Sequence, residues 1–253
     1  MRPIDDSAHK KSIADEFDRA AGGFAERTKS RFDEVDIAGF SQVSPEATVL
    51  EVGAGTGNFL AHFKGVSARR IALDLTLGML HEAKERHQGL DLVQGDAFTL
   101  PFRSGSIDLA ASAQALHHIW KPVPVLRELR RVAGQEGKVL IVDQLATERF
   151  EEVAFMNELE TIRDPSHATS RPVSAFHVLV NKAGLEIVDQ KIHEDRSRFS
   201  AWMWTGEFPQ TRIDATRAFI DKFGAETGMG FEREGEDWSF TRRRILILAR
   251  RAA

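Results

Sequence analysis

Three groups of residues have types and spacing that could do chemistry. The first is Val49-Leu50-Glu51-Val52-Gly53-Ala54-Gly55-Thr56-Gly57-Asn58. A short apolar run broken by three glycines reads as a buried strand, then a turn whose backbone must pass close to a ligand, then a helix start whose free N–H groups point at that ligand. The second group is acidic: Glu51 just before the turn, Asp74 at the end of the next apolar run, and Asp96 after the run beyond it. Glu51 can serve an ammonium, and Asp74 lies at about the separation past the glycines at which an acid reaches a ribose diol. The third group is imidazole: His117 and His118 after a fourth apolar run, and His167 within Asp164-Pro165-Ser166-His167. Imidazole titrates near neutral pH, so each could act as a base. Each could equally end a loop and bond to backbone, His167 could be a surface cap, and Asp164 could serve in a cap or salt bridge.

Spacing separates two ligand readings for the turn. A dinucleotide fingerprint wants Gly-x-Gly-x-x-Gly, with a tightly packed helix start beneath a pyrophosphate. Here the third glycine is Gly57 and Asn58 stands where that pattern wants glycine. A compact zwitterionic group needs a carboxylate and exposed backbone at the loop, and Glu51 with Gly53, Ala54 and Gly55 supplies both. Thr76 fits as the N-cap of the helix after the second strand, with Met79 one turn inside it.

The elements that must hold these residues follow from periodicity. Strands are expected at Thr48–Val52, 70–75, 91–94, 106–112 and 138–143, and helices at 58–65, 77–87, 115–118 and 122–132. That alternation predicts a parallel sheet covered by helices on both faces, binding its ligand at the carboxyl ends of the strands. Upstream, apolar positions in 7–42 predict two helices joined at Gly22-Gly23. Downstream, 146–162 reads as an amphipathic helix stopped by Asp164-Pro165 and placed to cap the site. Further elements are a helix over 173–183 ended by Gly184, a strand over 185–192, a helix over 212–227 and a final buried strand over 238–248. Arg242 to Arg244 and Arg250-Arg251 bracket that last strand and read most simply as solvated ends of an edge element. Met156, Trp202 and Trp204 could line a substrate pocket, although such residues are more often core.

The chain has 253 residues, a formal charge of -4, no cysteine and no tyrosine. The balanced charge gives no basic footprint for nucleic acid. Absence of cysteine removes disulfides, thiolate metal sites and thiol nucleophiles. No histidine pair has the spacing and acidic partner of a zinc enzyme, so no metal is expected. Neither a signal-peptide core nor an apolar run of about 20 residues is visible, which leads us to expect a soluble, cytoplasmic protein.

In order along the chain these motifs resemble the class I S-adenosylmethionine-dependent methyltransferases, over about residues 17–145. Glu51-Val-Gly-Ala-Gly-Thr-Gly57 resembles the family's first motif, which holds the methionyl part of the cofactor. Leu73-Asp74-Leu75-Thr76 resembles the second, where the acid takes the ribose hydroxyls and its neighbour touches adenine. Gly95-Asp96-Ala97 resembles the third, where the carboxylate accepts from the adenine amino group. Leu100-Pro101-Phe102 and Ser106-Ile107-Asp108 continue the pattern, with isoleucine at the usual aromatic position. Phe17-Asp18, Ala21 and Phe24 resemble an N-terminal Tyr-Asp-x-x-Ala-x-x-Tyr signature that closes over the cofactor. Both tyrosines are phenylalanine here, so any hydroxyl role there is lost. Leu116-His117-His118-Ile119 is similar to the small-molecule branch that includes the ubiquinone and menaquinone biosynthesis methyltransferases. The turn Ser112-Ala-Gln-Ala115 lacks the Asn-Pro-Pro-Tyr of amide and nucleic-acid methylases.

The resemblance implies a single domain, 1–253: N-terminal helices (1–43), a cofactor core (44–145), a cap and substrate region (146–212), and a C-terminal helix and last strand (213–253). The fold class is α/β, a Rossmann-like doubly wound sheet of about seven strands, mostly parallel with an antiparallel last strand. The implied cofactor is S-adenosylmethionine, leaving as S-adenosylhomocysteine, contacted by Phe17, Phe24, Glu51, Gly53, Ala54, Gly55, Gly57, Asp74, Leu75, Met79, Asp96, Ala97 and Ser112. The implied reaction is methyl transfer to O, N or C of a small aromatic or apolar acceptor, with His118 and His167 as first candidates for a base and His117 third. A non-catalytic binder of the same cofactor is the alternative, and a nicotinamide enzyme is disfavoured by Asn58. Monomer and homodimer both stay open.

Overall fold

The computed structural model describes residues 6–203 and 208–252; some side chains of the first helix, Ala21 and Phe24 among them, lie outside the described residues, as does Trp204. Five strands run parallel: β1 (Thr48–Val52), β2 (Arg69–Asp74), β3 (Leu90–Gln94), β4 (Leu109–Ala113) and β5 (Lys138–Gln144). Three more, β6 (Leu185–Arg198), β7 (Glu232–Glu234) and β8 (Asp237–Arg251), are antiparallel additions. The order is β3-β2-β1-β4-β5-β8-β6, with β7 on β8. From β1 the chain winds outward through β2 and β3, then returns to lay β4 on the other side of β1. The crevice therefore opens at the carboxyl ends of β1 and β4, where an open α/β sheet takes its ligand.

Burial explains the strand sequences. β4 is buried at all five positions and β8 from Arg244 to Ala249, so these strands read as near-continuous apolar runs. One face of the sheet packs on α4 (Pro122–Ala133) and α6 (Val173–Lys182) through Leu126, Leu129, Phe176 and Val180. On the other face Phe32, Ile37, Phe59, Leu60 and Phe63 cover Val49, Leu109 and Leu140. Each such side chain contributes about 1.5–3 kcal/mol by burial. Truncating the fully buried Phe63 to alanine would cost about 3–5 kcal/mol.

Five local expectations fail for identifiable reasons. The N-terminal segment forms one helix, α1 (Asp6–Thr28), running straight through Gly22-Gly23. Asn58 fastens its last turn by donating to the Ala25 carbonyl and Thr28 hydroxyl, and such tertiary bonds outweigh the cost of about 1 kcal/mol per helical glycine. Beyond Thr28 the chain makes turns and then the short α2 (Ile37–Ser41). The helix expected over 58–65 is a single tight turn, Leu60–Phe63. Helix α5 (Phe150–Arg163) starts later than 146 because Leu145 and Ala146 instead donate their N–H groups to the Arg243 and Arg171 carbonyls. The sheet has eight strands, β7 having been missed.

The fifth failure matters most for the site. Strand β8 is interior, not an edge: β5 lies on one side of it and β6 on the other. Pairing with β5 ends at Arg244, while pairing with β6 continues to Ser239. The two strands thus project past the rest of the sheet as an arm. On it α5, α7 (Phe199–Met203) and α8 (Gln210–Phe223) build a second small core of Met156, Leu159, Phe199, Trp202, Ile213, Phe219, Trp238 and Phe240. Met156 belongs to that cap core. Arg242 and Arg244, expected in solvent, lie at the root of the arm.

Candidate active site

The glycine turn is built as its composition requires. Gly53 and Gly55 have φ of +71° and +52°, in the left-handed region that favours glycine, and a Cβ on Gly53 would stand 2.7 Å from that of Ala115. Asp74 braces the turn from β2. Its Oδ2 accepts from the Gly55 N–H at 2.7 Å, and its Oδ1 accepts from the N–H and hydroxyl of Thr76, both at 2.9 Å. Burial pushes the Asp74 carboxyl upward against these bonds. Glu51 is buried beside it, and its pKa is raised well above the usual range by burial and by Asp74. Oxygen Oε2 of Glu51 has no hydrogen-bond partner among the described residues. A buried orphan carboxylate oxygen is costly unless a ligand cation answers it.

These residues wall a cleft of about 160 Å³. Of the positions expected from sequence, Phe17, Glu51, Gly53, Ala54, Gly55, Asp74, Leu75, Met79, Asp96 and Ala97 line it. Gly57 does not; a Cβ there would meet Leu90, His87 and Ala83, so its role is helix packing. Ser112 is buried in β4 and also does not line the cleft, whereas Ala113 and Gln114 do. The Phe24 side chain lies outside the described residues. Helix α1 closes the open side: Lys10 pairs with Asp96 at 2.6 Å and sits over the Phe98 ring, and Glu16 pairs with Arg212 of α8 at 2.9 Å.

A second cavity, about 330 Å³, shares Phe17, Arg31, Gln114 and His118 with the first. Gln114 holds φ +54° at this junction, a strained conformation for a residue with a Cβ, and its Nε2 is buried without a partner among the described residues. His117 enters from the turn after β4. Its Nδ1 lies 2.5 Å from Oδ1 of Asp143, which also accepts the Gln144 N–H. That fixes the proton on Nδ1 and leaves Nε2 with no partner among the described residues. Burial, then the neighbouring His118 and His167, hold His117 well below its ordinary pKa, and burial raises Asp143 to about 6. At neutral pH the pair is a neutral imidazole oriented by a carboxylate. His118 also faces the cavity, with Nδ1 at 3.1 Å from the Ser166 carbonyl and its ring edge-on to Phe17.

His167 does not fit the base role assigned to it first alongside His118. It lines neither cavity; its Nε2 donates to Asn157 at 2.9 Å, Gln144 approaches its Nδ1 at 3.5 Å, and burial lowers it to about 4. It is a satisfied histidine behind the wall. No group of three His, Asp or Glu residues among those described is placed to hold a metal ion.

Known proteins share both the sequence of the core and its shape. Residues 50–141 match the family described as a methyltransferase domain. The crystal structure of YcgJ from Bacillus subtilis superposes with a TM-score of 0.78 at 25% identity, over 86% of this chain and 97% of that one. The core of this chain is thus similar in sequence and shape to a methyltransferase domain. YcgJ, an uncharacterised methyltransferase by its description, is 28% identical over 211 residues, 80% of this chain and 83% of its own. A demethylmenaquinone methyltransferase of Renibacterium salmoninarum is 34% identical over 99 residues, 39% of this chain and 42% of its own.

Several residues that shape the second cavity were missed from sequence. Asp143 was read only as the end of a strand, although a lone acid closing an apolar run at the carboxyl edge of a sheet is itself a signal. Arg171 donates to the carbonyls of Leu116, Thr169 and Ile119 and so holds the His117-His118 turn in place. Arg31, Arg163, Arg196, Arg242 and Arg244 all line the cavity, together with Glu16, Glu34, Asp164 and Asp195. Among the described residues, Phe17, Trp202 and Phe208 are the aromatic lining beside the histidines. The lining is highly charged, whereas the acceptor expected from sequence was small and aromatic or apolar. Among the described residues no helix is long and apolar enough to cross a membrane.

Proposed function

We propose that this protein transfers a methyl group from S-adenosylmethionine to a protic atom of a small molecule held in the second cavity, with His117 as the base. The observation that carries the reading is the common wall. The cleft bearing the unanswered Glu51 oxygen and the cavity bearing the His117–Asp143 pair meet at Gln114 and His118.

The residues of the cleft suit the cofactor. Glu51 has the spare acceptor that an amino-acid ammonium needs, Asp74 is placed for a ribose diol, and Asp96 with Ala97 and Phe98 forms the far wall where an adenine would lie. When bound, the cofactor supplies a methyl group already activated on a sulfonium. The protein must then bring the acceptor into line, exclude water and remove a proton. Phe17 and the Glu16–Arg212 pair close α1 over the junction. Positioning of this kind supplies about 7–11 kcal/mol of barrier reduction. Nε2 of His117 takes the acceptor's proton, and Asp143 stabilises the imidazolium that results, a step worth about 100-fold or more. His118 stands beside it as a positioning group.

The test is calorimetry with S-adenosylmethionine and S-adenosylhomocysteine, followed by methyl-transfer assays over phenols, enols, amines and acids. Micromolar cofactor binding with turnover on one class supports the reading. Cofactor binding without turnover on any of them would favour a non-catalytic binder, and preference for NADH would sink the cofactor assignment.

A further inference from the structure

Among the described residues, most charges that line the second cavity are paired. Arg163 is answered by Glu160 at 2.8 Å, Arg244 by Asp195 at 2.7 Å, and Arg196 by Glu232 at 2.8 Å. The lining acids are similarly engaged: Glu16 with Arg212, Asp195 with Arg244 and Ser197, Asp164 with Ser166, and Glu34 with His193 at 3.5 Å. Arg242 is different. No side-chain hydrogen bond or ion pair joins it to a described residue, and the acid that most attracts it, Asp195, is already held by Arg244.

Arg242 also sits among its own kind. Arg242 and Arg244 are two residues apart on β8, so their side chains share a face of the arm, and both line the cavity. Arg31 reaches the same cavity from the turn after α1, and its strongest like-charge neighbours are Arg242 and Arg244. Desolvation and mutual repulsion hold Arg31 well below its ordinary pKa and lower Arg242 to about 10. A guanidinium does not escape such a position by losing its proton near neutral pH. Arg31 and Arg242 are half-buried and Arg244 is buried, and guanidinium groups brought together in this way bind an oxyanion strongly, meeting it with paired N–H donors.

We infer that the methyl acceptor is an anion, carrying a carboxylate or phosphate group bound by Arg242 with Arg31 and Arg244, while its protic atom lies at the histidine end of the same cavity. This rests on the proposed function for what the second cavity holds, but the anion site stands on its own geometry. It replaces an apolar acceptor with a small bifunctional one.

The experiment uses the full-length protein and two probes, inorganic phosphate and benzoate, titrated at constant ionic strength against sodium chloride while unfolding temperature is followed. It is run with and without S-adenosylhomocysteine. We expect a saturable rise with at least one probe, and the probe that gives it assigns phosphate or carboxylate. Arg242→Met should weaken that response at least tenfold, Arg242→Lys should give an intermediate loss, and Arg250→Met, altered on the far end of β8, should leave it unchanged. Calorimetry with S-adenosylhomocysteine shows that each variant is folded. A wild-type protein indifferent to both probes, or an Arg242→Met variant that responds as wild type does, overturns the inference. Loss of S-adenosylhomocysteine binding in the wild type would instead sink the methyl-transfer reading and leave the anion site standing. Where an acceptor is found, its methyl ester should lose at least tenfold in kcat/KM relative to the free acid, chiefly through KM.

Discussion

Nδ1 of His117 and Oδ1 of Asp143 lie 2.5 Å apart, although one residue follows β4 and the other lies near the end of β5. The parallel pairing of those strands, with Ala113 opposite Val142, brings the two chain segments together. Oδ2 of Asp143 has no partner among the described residues, so this carboxylate is buried at a cost for the sake of one imidazole. Raising its pKa from 3.8 to about 6 corresponds to about 3 kcal/mol of lost stability above pH 6.

Substitution at this pair should therefore separate stability from activity. Asp143→Asn keeps an oxygen for the Nδ1–H and removes the buried charge, so the unfolding temperature should hold or rise by a few degrees. Turnover should fall by about 100-fold or more, because the imidazolium loses its counter-charge. His117→Gln should lose turnover similarly with S-adenosylmethionine affinity within about twofold of wild type. Unchanged kcat in both variants, measured under saturating substrates, would remove His117 as the base.

The same pair sets a pH dependence. Below about 6 Asp143 is protonated, stops accepting from Nδ1–H as an anion, and no longer stabilises the imidazolium. Turnover should thus be full above that pH and fall as pH drops through about 6. The linked stability has the opposite sense: an acid whose folded pKa is raised favours the folded state below its unfolded value and loses that contribution as pH rises through the folded one. For the Asp143→Asn variant the inflection near 6 should vanish from the pH profile of whatever rate remains.

Glu51 predicts a proton count. Its carboxyl is pushed well above the usual range by burial and by Asp74, so below that raised titration the free protein holds a proton there that a bound ammonium would displace. Binding of S-adenosylmethionine should release protons, visible as a binding enthalpy that varies with the ionisation enthalpy of the buffer, and affinity should rise with pH through the Glu51 titration. Glu51→Gln should abolish that proton release and weaken binding by about 10- to 100-fold. Buffer-independent enthalpy in the wild type would contradict the assignment.

How much of the fold and site was legible in sequence depended on whether local order or long-range packing decided it. Glu51, the glycines, Asp74 and Asp96 stand in fixed register with strand ends, and a parallel sheet carries strand ends to one edge, so their convergence could be read along the chain. The histidines were visible too, but their ranking was not. His167 is bonded to Asn157, and His117 is oriented by Asp143, a residue 26 positions away. The cationic wall was misread because β8 was taken for an edge strand; its second neighbour, β6, extends to Arg198, well beyond the short apolar run that announced it. No local pattern distinguishes an arginine on a solvated edge from one at the root of a projecting arm.

Asn58 offers a test of how the N-terminal helix serves the cleft. By its place after the glycines it argues against a pyrophosphate, and in the structure it clamps. Nδ2 donates to the Ala25 carbonyl and the Thr28 hydroxyl, while Oδ1 lies 3.1 Å from Nε2 of His87 on the far side. The residue thus links the end of α1 to the glycine turn and to the segment after α3 (Leu77–Arg86). Two or three bonds of about 0.5–1.5 kcal/mol each hold the helix that carries Phe17 and Lys10 over the cleft. Asn58→Ala should therefore speed S-adenosylhomocysteine release and weaken its binding by about tenfold, with a smaller change in unfolding temperature than a core substitution such as Phe63→Ala. Stopped-flow dissociation rates read this directly, and wild-type release from Asn58→Ala would show that α1 closes without the clamp.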